Sequence, residues 1–206
     1  MTAQPARRRL FVAVWPPEDL LVALEGLERP QARGLRWTTR DQWHVTLRFL
    51  GSVGEAEVAG LTVGLGEAAA FSAVGRPVVA VAGPAPQMLG RGVWMLPVAG
   101  LDALAAAVGE AVDAAAGEAV GEAVGQAVDG SVGGAAPGAG PMPEARGRPG
   151  RFRGHLTLAR ARKPSLLRDL PKPPLDSSWE VQEVTLVNST LHPAGARYDV
   201  IDRWPL

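Results

Sequence analysis

Trp43-His44-Val45-Thr46-Leu47-Arg48-Phe49-Leu50 alternates without a break. Trp43, Val45, Leu47 and Phe49 fall on one side of an extended chain; His44, Thr46 and Arg48 fall on the other. A period of two marks a strand with one apolar and one polar face. A second segment, Gly154-His155-Leu156-Thr157-Leu158-Ala159, has the same wording: histidine, apolar residue, threonine, leucine. On a strand, a histidine and the threonine two positions on project from the same face, about 6.5–7 Å apart. Each segment therefore presents an imidazole beside a hydroxyl. Together they use two of the three histidines in the 206-residue chain. The third, His192, precedes Pro193, stands outside the pattern and reads as surface or structural.

Duplicating this pair suits phosphodiester chemistry. One group must take a proton from the nucleophile and another must give one to the leaving oxygen. Imidazole titrates near pH 6.5, so two of them can hold one neutral and one protonated member near neutrality. The hydroxyls of Thr46 and Thr157 can donate hydrogen bonds to phosphate oxygens. No metal or other cofactor is required. Two histidines without a third ligand underfill a zinc site, and no HExxH is present.

Around these strands the pattern alternates between elements of both kinds. Residues 10–15 form an apolar run stopped by Pro16-Pro17, a buried strand. Residues 17–27 place Glu18 and Asp19 before Leu20, Leu21, Leu24 and Leu27, which is helical spacing with favourable charge at its start. Further strands are expected at 35–38, 77–82, 92–97, 151–160, 181–187 and 197–201. Helices are expected at 55–70, weakened by Gly60, Gly64 and Gly66, and at 101–116. The segment 163–174 reads as a loop. GEAV occurs at 109–112, 117–120 and 121–124, followed by GQAV at 125–128. Residues 117–150 are read as a low-complexity Gly/Ala-rich insertion, a frayed helix followed by a disordered loop. The elements lack strict βαβ alternation, which indicates an α+β fold with antiparallel or mixed sheets in a single domain over 1–206.

Composition sets the outer bounds. Apolar residues make up 47% of the chain, enough for a packed core. There is no cysteine, which excludes disulfides, thiolate metal sites and a cysteine nucleophile. No apolar stretch reaches membrane-spanning length, and the short N-terminal run does not suit a signal peptide. A cytoplasmic monomer with no membrane partner is expected. The 21 basic and 21 acidic residues cancel, but they are segregated. Residues 1–48 hold eight Arg and five acids, and residues 146–168 hold seven Arg, one Lys and no acid. Residues 49–145 hold ten acids and two Arg. Positive charge thus flanks both histidine strands, while the acidic excess lies between them. This suits a local phosphate site rather than tight binding along a long nucleic acid.

The two motifs, HVTLRFLG at 44–51 and HLTLAR at 155–160, resemble those of the two-histidine phosphoesterases. The nearest likeness is to the RNA 2′,3′-cyclic phosphodiesterases, also called 2′-5′ RNA ligases. Arg9-Leu10-Phe11-Val12-Ala13-Val14 and the C-terminal segment 189–206 extend the likeness over most of the chain outside 117–150. The resemblance implies a bilobal fold with approximate two-fold symmetry, two sheets flanked by helices, and a cleft between the lobes. It implies His44 as proton donor to the leaving 3′ oxygen, His155 as proton acceptor from water, and Thr46 and Thr157 as phosphate-binding residues. The expected partner is RNA ending in a 2′,3′-cyclic phosphate, or a cyclic nucleotide. The alternatives are another cyclic or 2′-5′ nucleotide as substrate, or a non-catalytic module that binds RNA ends.

The sequence departs from the family where Gly154 stands in place of a proline before the second histidine, and Gly150 in place of an arginine. Arg151 and Arg153 lie close enough to substitute. With Arg48 and Phe152 they complete the candidate substrate contacts. Trp37 and Trp43 could stack on bases, although Trp43 has the parity of the core. Phe11, in an apolar run, also reads as core, while the resemblance implies an aromatic at that position near the base. Arg160 shares the parity of Leu156 and Leu158 and reads as a strand-end residue facing away from His155.

Overall fold

The apolar run near the N-terminus becomes β1 (Arg7–Val14), paired along both edges, with β3 (Val45–Gly54) and with β9 (Glu183–His192). A central strand covered on both faces needs apolar residues at consecutive positions. Leu10, Val12 and Val14 enter the main core, while Phe11 and Ala13 join Val187 in a small cluster on the opposite face. The computed structural model describes residues 7–74, 76–126, 152–192 and 195–206.

The remaining elements are α1 (Glu18–Glu25), β2 (Leu35–Trp37), a single 3-10 turn (Arg40–Gln42), α2 (Glu55–Ala73), β4 (Val79–Ala82), β5 (Gln87–Leu89), β6 (Val93–Ala99), α3 (Asp102–Gln126), β7 (His155–Ala161), α4 (Ser165–Arg168), β8 (Ser177–Glu180) and β10 (Gly195–Pro205). Ten strands pair antiparallel in the order β10-β9-β1-β3-β7-β6-β4-β8, with β2 added to β7 and β5 to β6. The fold is α+β, a large open antiparallel sheet with helices. Leu20 and Leu24 of α1, Leu61 and Leu65 of α2, and Leu104, Val108 and Val112 of α3 share one core with the inward residues of the sheet.

Several elements exceed the sequence expectation. α3 runs to Gln126, beyond the helix expected at 101–116. Its buried stripe anchors it as far as Val112, and alanine and glutamate in the GEAV repeats are strong enough helix formers to carry the backbone on past the glycines. Residues 127–150 of the expected insertion, and Arg151, lie outside the described residues. β9 and β10 pair over ten register positions, so both are longer than the strands expected at 181–187 and 197–201. The expected loop at 163–174 contains the short α4. Among the described residues no helix is long and apolar enough to cross a membrane.

Candidate active site

β3 and β7 meet at one residue pair, Val45 opposite Leu156. Each is the residue between the histidine and the threonine of its own motif. In antiparallel register this sets His44 across from Thr157 and Thr46 across from His155. Val45 and Leu156 are fully buried on the core side. The four polar side chains, each half-buried, therefore project together from the other face, related by a two-fold axis through the central pair. On directly opposed strands the diagonal partners, here the two histidines, have Cα atoms about 7–8 Å apart.

The rings are held the same way. His44 Nδ1 lies 2.9 Å from the carbonyl of Gln42, and His155 Nδ1 lies 2.7 Å from the carbonyl of Arg153. In both cases the carbonyl belongs to the residue two positions earlier. A carbonyl only accepts, so each Nδ1 carries its proton and donates it. That leaves Nε2 of each neutral ring with a lone pair.

Both strands then break their alternation at the same point. β1 pairs Val12 with Arg48 and Ala13 with Thr46, so Leu47 is an extra residue in β3. β6 pairs Trp94 with Ala159 and Met95 with Thr157, so Leu158 is an extra residue in β7. A bulge places two successive side chains on one side and reverses the parity of everything after it. After Thr46, both Leu47 and Arg48 lie on the core side. After Thr157, both Leu158 and Ala159 do.

This corrects two expectations. Arg48 leaves the face of His44 and reaches the helices instead, where its Nη2 donates to Asp113 Oδ1 at 2.6 Å. Arg160 arrives on the face of His155, where its charge acts on His44, His155 and Tyr198 alike. The same reversal brings Phe49 out of its expected core position, 69% exposed, opposite Phe11 and 6.1 Å from it between ring centroids. Arg160 carried a legible warning. A charge on the buried face of a strand is seldom tolerated, so a parity break was the better reading.

The β7 bulge is tied to the first motif by Thr38. Its hydroxyl lies 2.7 Å from the carbonyl of Thr157 and 2.8 Å from that of Leu158, and it accepts the indole N–H of Trp43 at 2.9 Å. Trp43 is 2% exposed, a core residue as its parity indicated. Trp37 packs partly against the same core and donates its indole N–H to the carbonyl of Pro30.

The other candidates divide. Arg153 is exposed beside His155 and its charge acts on that ring. Phe152 packs partly against the main core rather than standing free as a stacking surface. Gly154, where the family resemblance led one to expect proline, has a structural reason. A Cβ there would stand 2.3 Å from the carbonyl oxygen of Val98, whose own N–H donates to the carbonyl of Gly154. His192 ends β9, outside the paired motifs.

Sequence reading missed the surroundings of His44. Phe11 lies 4.7 Å from it between centroids, Tyr198 lies 4.9 Å away edge-on, and Trp15 lies 5.7 Å away. Trp15 is fixed by donating to the hydroxyl of the buried Thr185, which in turn donates to the carbonyl of Ala13. Burial among these rings pushes the His44 imidazole down to about 4 against the pull of the Gln42 carbonyl, with the nearby charges of His155 and Arg160 adding to the fall. His155 is also lowered, first by burial and then by Arg160 and Arg153. Burial raises the Tyr198 phenol, with Arg160 and Arg36 pulling the other way. Among the described residues no group of three or more metal-ligating side chains could hold an ion.

The comparisons with known proteins bear on the fold. The LigT-like phosphoesterase profile matches residues 14–75. TT0787 of Thermus thermophilus superposes with a TM-score of 0.68 at 27% identity, over 96% of this chain and 97% of that one. E. coli LigT complexed with 3′-AMP gives 0.63 at 22% identity over 97% and 98%, and LigT complexed with NADP+ gives 0.65 at 23% over 98% and 99%. At those identities the LigT matches speak for the fold. No curated protein matches the chain by sequence. The profile match over residues 14–75 and the shared fold over nearly the whole of both chains make this protein similar to the LigT-like phosphoesterases.

Proposed function

We propose that the protein hydrolyses RNA ends bearing a 2′,3′-cyclic phosphate to 2′-phosphomonoesters, with no metal in the reaction. The observation that carries this reading is the two-fold apposition of His44 and Thr46 with His155 and Thr157 about the Val45–Leu156 pair. A phosphorus centred on that axis would have one imidazole on the side of the attacking water and the other on the side of the departing oxygen. His155 Nε2 takes a proton from water as its oxygen bonds to phosphorus. The P–O3′ bond breaks, and O3′ takes a proton from His44 Nε2. Thr46, Thr157 and Arg160 hold the non-bridging oxygens, whose charge grows in the transition state. The nucleotide and phosphate ligands of E. coli LigT favour a nucleotide phosphate as the group bound.

An imidazole lowered to about 4 is a poor resident for a proton in the empty site. The phosphodiester anion supplies the counter-charge that lets His44 hold one, so the acid is armed by the substrate itself. With a 5′-hydroxyl in place of water, the same steps join two RNA ends through a 2′-5′ linkage without ATP. RNA carrying the cyclic end, or a cyclic nucleotide, is the partner, and the protein acts as a cytoplasmic monomer.

The test is hydrolysis of a nucleoside 2′,3′-cyclic phosphate in EDTA, with the product isomer identified by phosphorus NMR. Turnover to the 2′-phosphate is expected. His44→Ala and His155→Ala should each lower kcat by at least about a hundredfold. Unchanged activity in either variant, or dependence on added metal, overturns the mechanism. Binding of cyclic-ended RNA without turnover would mark the protein as a binding module.

A further inference from the structure

β7 offers one edge to two different strands. β3 takes its first part at Leu156, and β2 takes its last part, pairing Arg36 with Arg160 and Trp37 with Ala159. Trp37 and Ala159 face the core, so Arg36 and Arg160 stand side by side on the face that carries the histidines. Directly opposed side chains in such a ladder leave Cβ atoms about 4.5–5.5 Å apart.

Arg36 is exposed, yet its guanidinium occupies a prepared place. It lies over Gly195, where a Cβ would stand 2.2 Å from its Nη2 and 3.0 Å from its Cζ. Gly195 has φ +135, a conformation that side-chain-bearing residues rarely adopt. The amide of Gln42 crowds the same spot and is held there by donating to the carbonyl of Ala196 at 2.7 Å. Gln42 is also the residue whose carbonyl fixes His44. Arg36 is therefore seated across from Arg160, next to the residue that fixes the first histidine, and its charge acts on Tyr198. Neither arginine forms an ion pair among the described residues. The acid that also acts on Tyr198, Asp41, accepts a hydrogen bond from the Thr39 hydroxyl.

Two like charges set side by side without a carboxylate between them repel each other, unless an anion joins them. Resting on the reading of the site given above, we propose that Arg36 binds a second phosphate. This is the phosphodiester on the 5′ side of the terminal nucleotide, while the histidines and threonines hold the cyclic phosphate itself. Across the bulge, Arg160 lies two register positions along β7 from Thr157, roughly 7 Å, and Arg36 stands opposite it on β2. The distance suits a group one nucleotide unit away from the reacting phosphorus. The enzyme then reads a chain end rather than a free nucleotide. A single guanidinium at this place, in a protein of zero net charge, gives end recognition without general affinity for RNA.

The discriminating substrates are adenosine 2′,3′-cyclic phosphate with a free 5′-hydroxyl and the same compound bearing a 5′-phosphate. At low salt the 5′-phosphate should raise kcat/KM about tenfold, the worth of one charge-assisted contact. Arg36→Gln should bring that ratio close to one, and Arg36→Lys should retain part of it. The preference should also shrink as salt is added. A ratio that is already one in the natural protein, or is unaltered by Arg36→Gln, overturns the second phosphate site and leaves the hydrolysis reading intact. Absence of turnover on both substrates overturns the hydrolysis reading and this inference with it.

Discussion

On β3 the imidazole of His44 lies against Phe11, Tyr198 and Trp15. On β7 the imidazole of His155 has no ring contact among the described residues, and the charges of Arg160 and Arg153 bear on it instead. Up to the bulge the two strands match: histidine tied by Nδ1 to the carbonyl two residues earlier, apolar residue inward, threonine outward, leucine extra. Past it they diverge, with Arg48 and Phe49 on β3 where β7 has Ala159 and Arg160. In the proposed reaction the matching part would face a group that is itself nearly symmetric, a tetrahedral phosphate attacked on one side and released on the other. The diverging part would face what is not symmetric in that substrate, a nucleoside on one side and the remaining charge of the RNA on the other. Half of the site is thereby made apolar and half cationic.

The sharpest way to break this comparison is to exchange the arginines in it. Arg160→Ala removes the cation shared by both histidines, and kcat/KM on a cyclic phosphate should fall by about a hundredfold, the upper range for a charge-assisted contact. Arg48→Ala removes only a bond to Asp113 on the helix side, and exposed pairs of that kind contribute about 0–1 kcal/mol. Its activity should stay within about twofold. Strict alternation along the strands predicts the reverse ranking, so steady-state kinetics on the two variants decides whether the bulges are present in solution.

A smaller effect is expected from pH. Hydrolysis needs one proton on the pair, and in the free enzyme both imidazoles sit below the ordinary 6.5, His44 at about 4. The singly protonated pair is most populated between its two macroscopic steps. The kcat/KM profile should peak between about pH 4 and 6.5, and fall about tenfold for each unit above it. The kcat profile, which reports the phosphate-bound enzyme, should peak higher. Stability should follow the same asymmetry. Between about pH 6.5 and 4 an unfolded His44 binds a proton that the folded one refuses, so the unfolded state holds more protons. Stability then falls as the pH drops through that window, by about 2 kcal/mol. Phe11→Ala, which opens the cage on one side, should raise the His44 titration while leaving His155 nearly unmoved. Histidine proton NMR with urea unfolding at pH 7 and 4.5 tests both parts.

How much of this was readable beforehand follows from what each feature depends on. The motif strands, β1 and α1 were legible because alternation and helical spacing are local, and both are enforced by the burial of Val45, Leu156, Leu20 and Leu24. The four polar residues at the site were legible for the same reason. The faces of Arg48, Phe49 and Arg160 were not, because a bulge is set by the partner strand. Leu47 and Leu158 are surplus only by reference to β1 and β6. The cage around His44 was hidden by sequence distance, since Phe11 and Tyr198 meet only when β9 brings β10 beside β1. Arg36 was unremarkable in a strand of three residues until its register against β7 was known.

Phe49 gives the mildest test and the one that bears most directly on the apolar half. An aromatic ring 69% exposed at the edge of the site gains little from the fold. Phe49→Ala should therefore leave thermal stability almost unchanged. If the ring stacks on the terminal base, its loss should raise KM for a nucleoside cyclic phosphate several-fold with kcat nearly constant, because stacking binds substrate and transition state alike. Leucine at 49 should restore only part of the affinity, since it offers area without a planar face. A synthetic cyclic phosphate without a base separates the two causes. The variant and the natural protein should hydrolyse it equally, and a difference that persists there would assign Phe49 to support of Phe11 behind His44 rather than to the nucleoside.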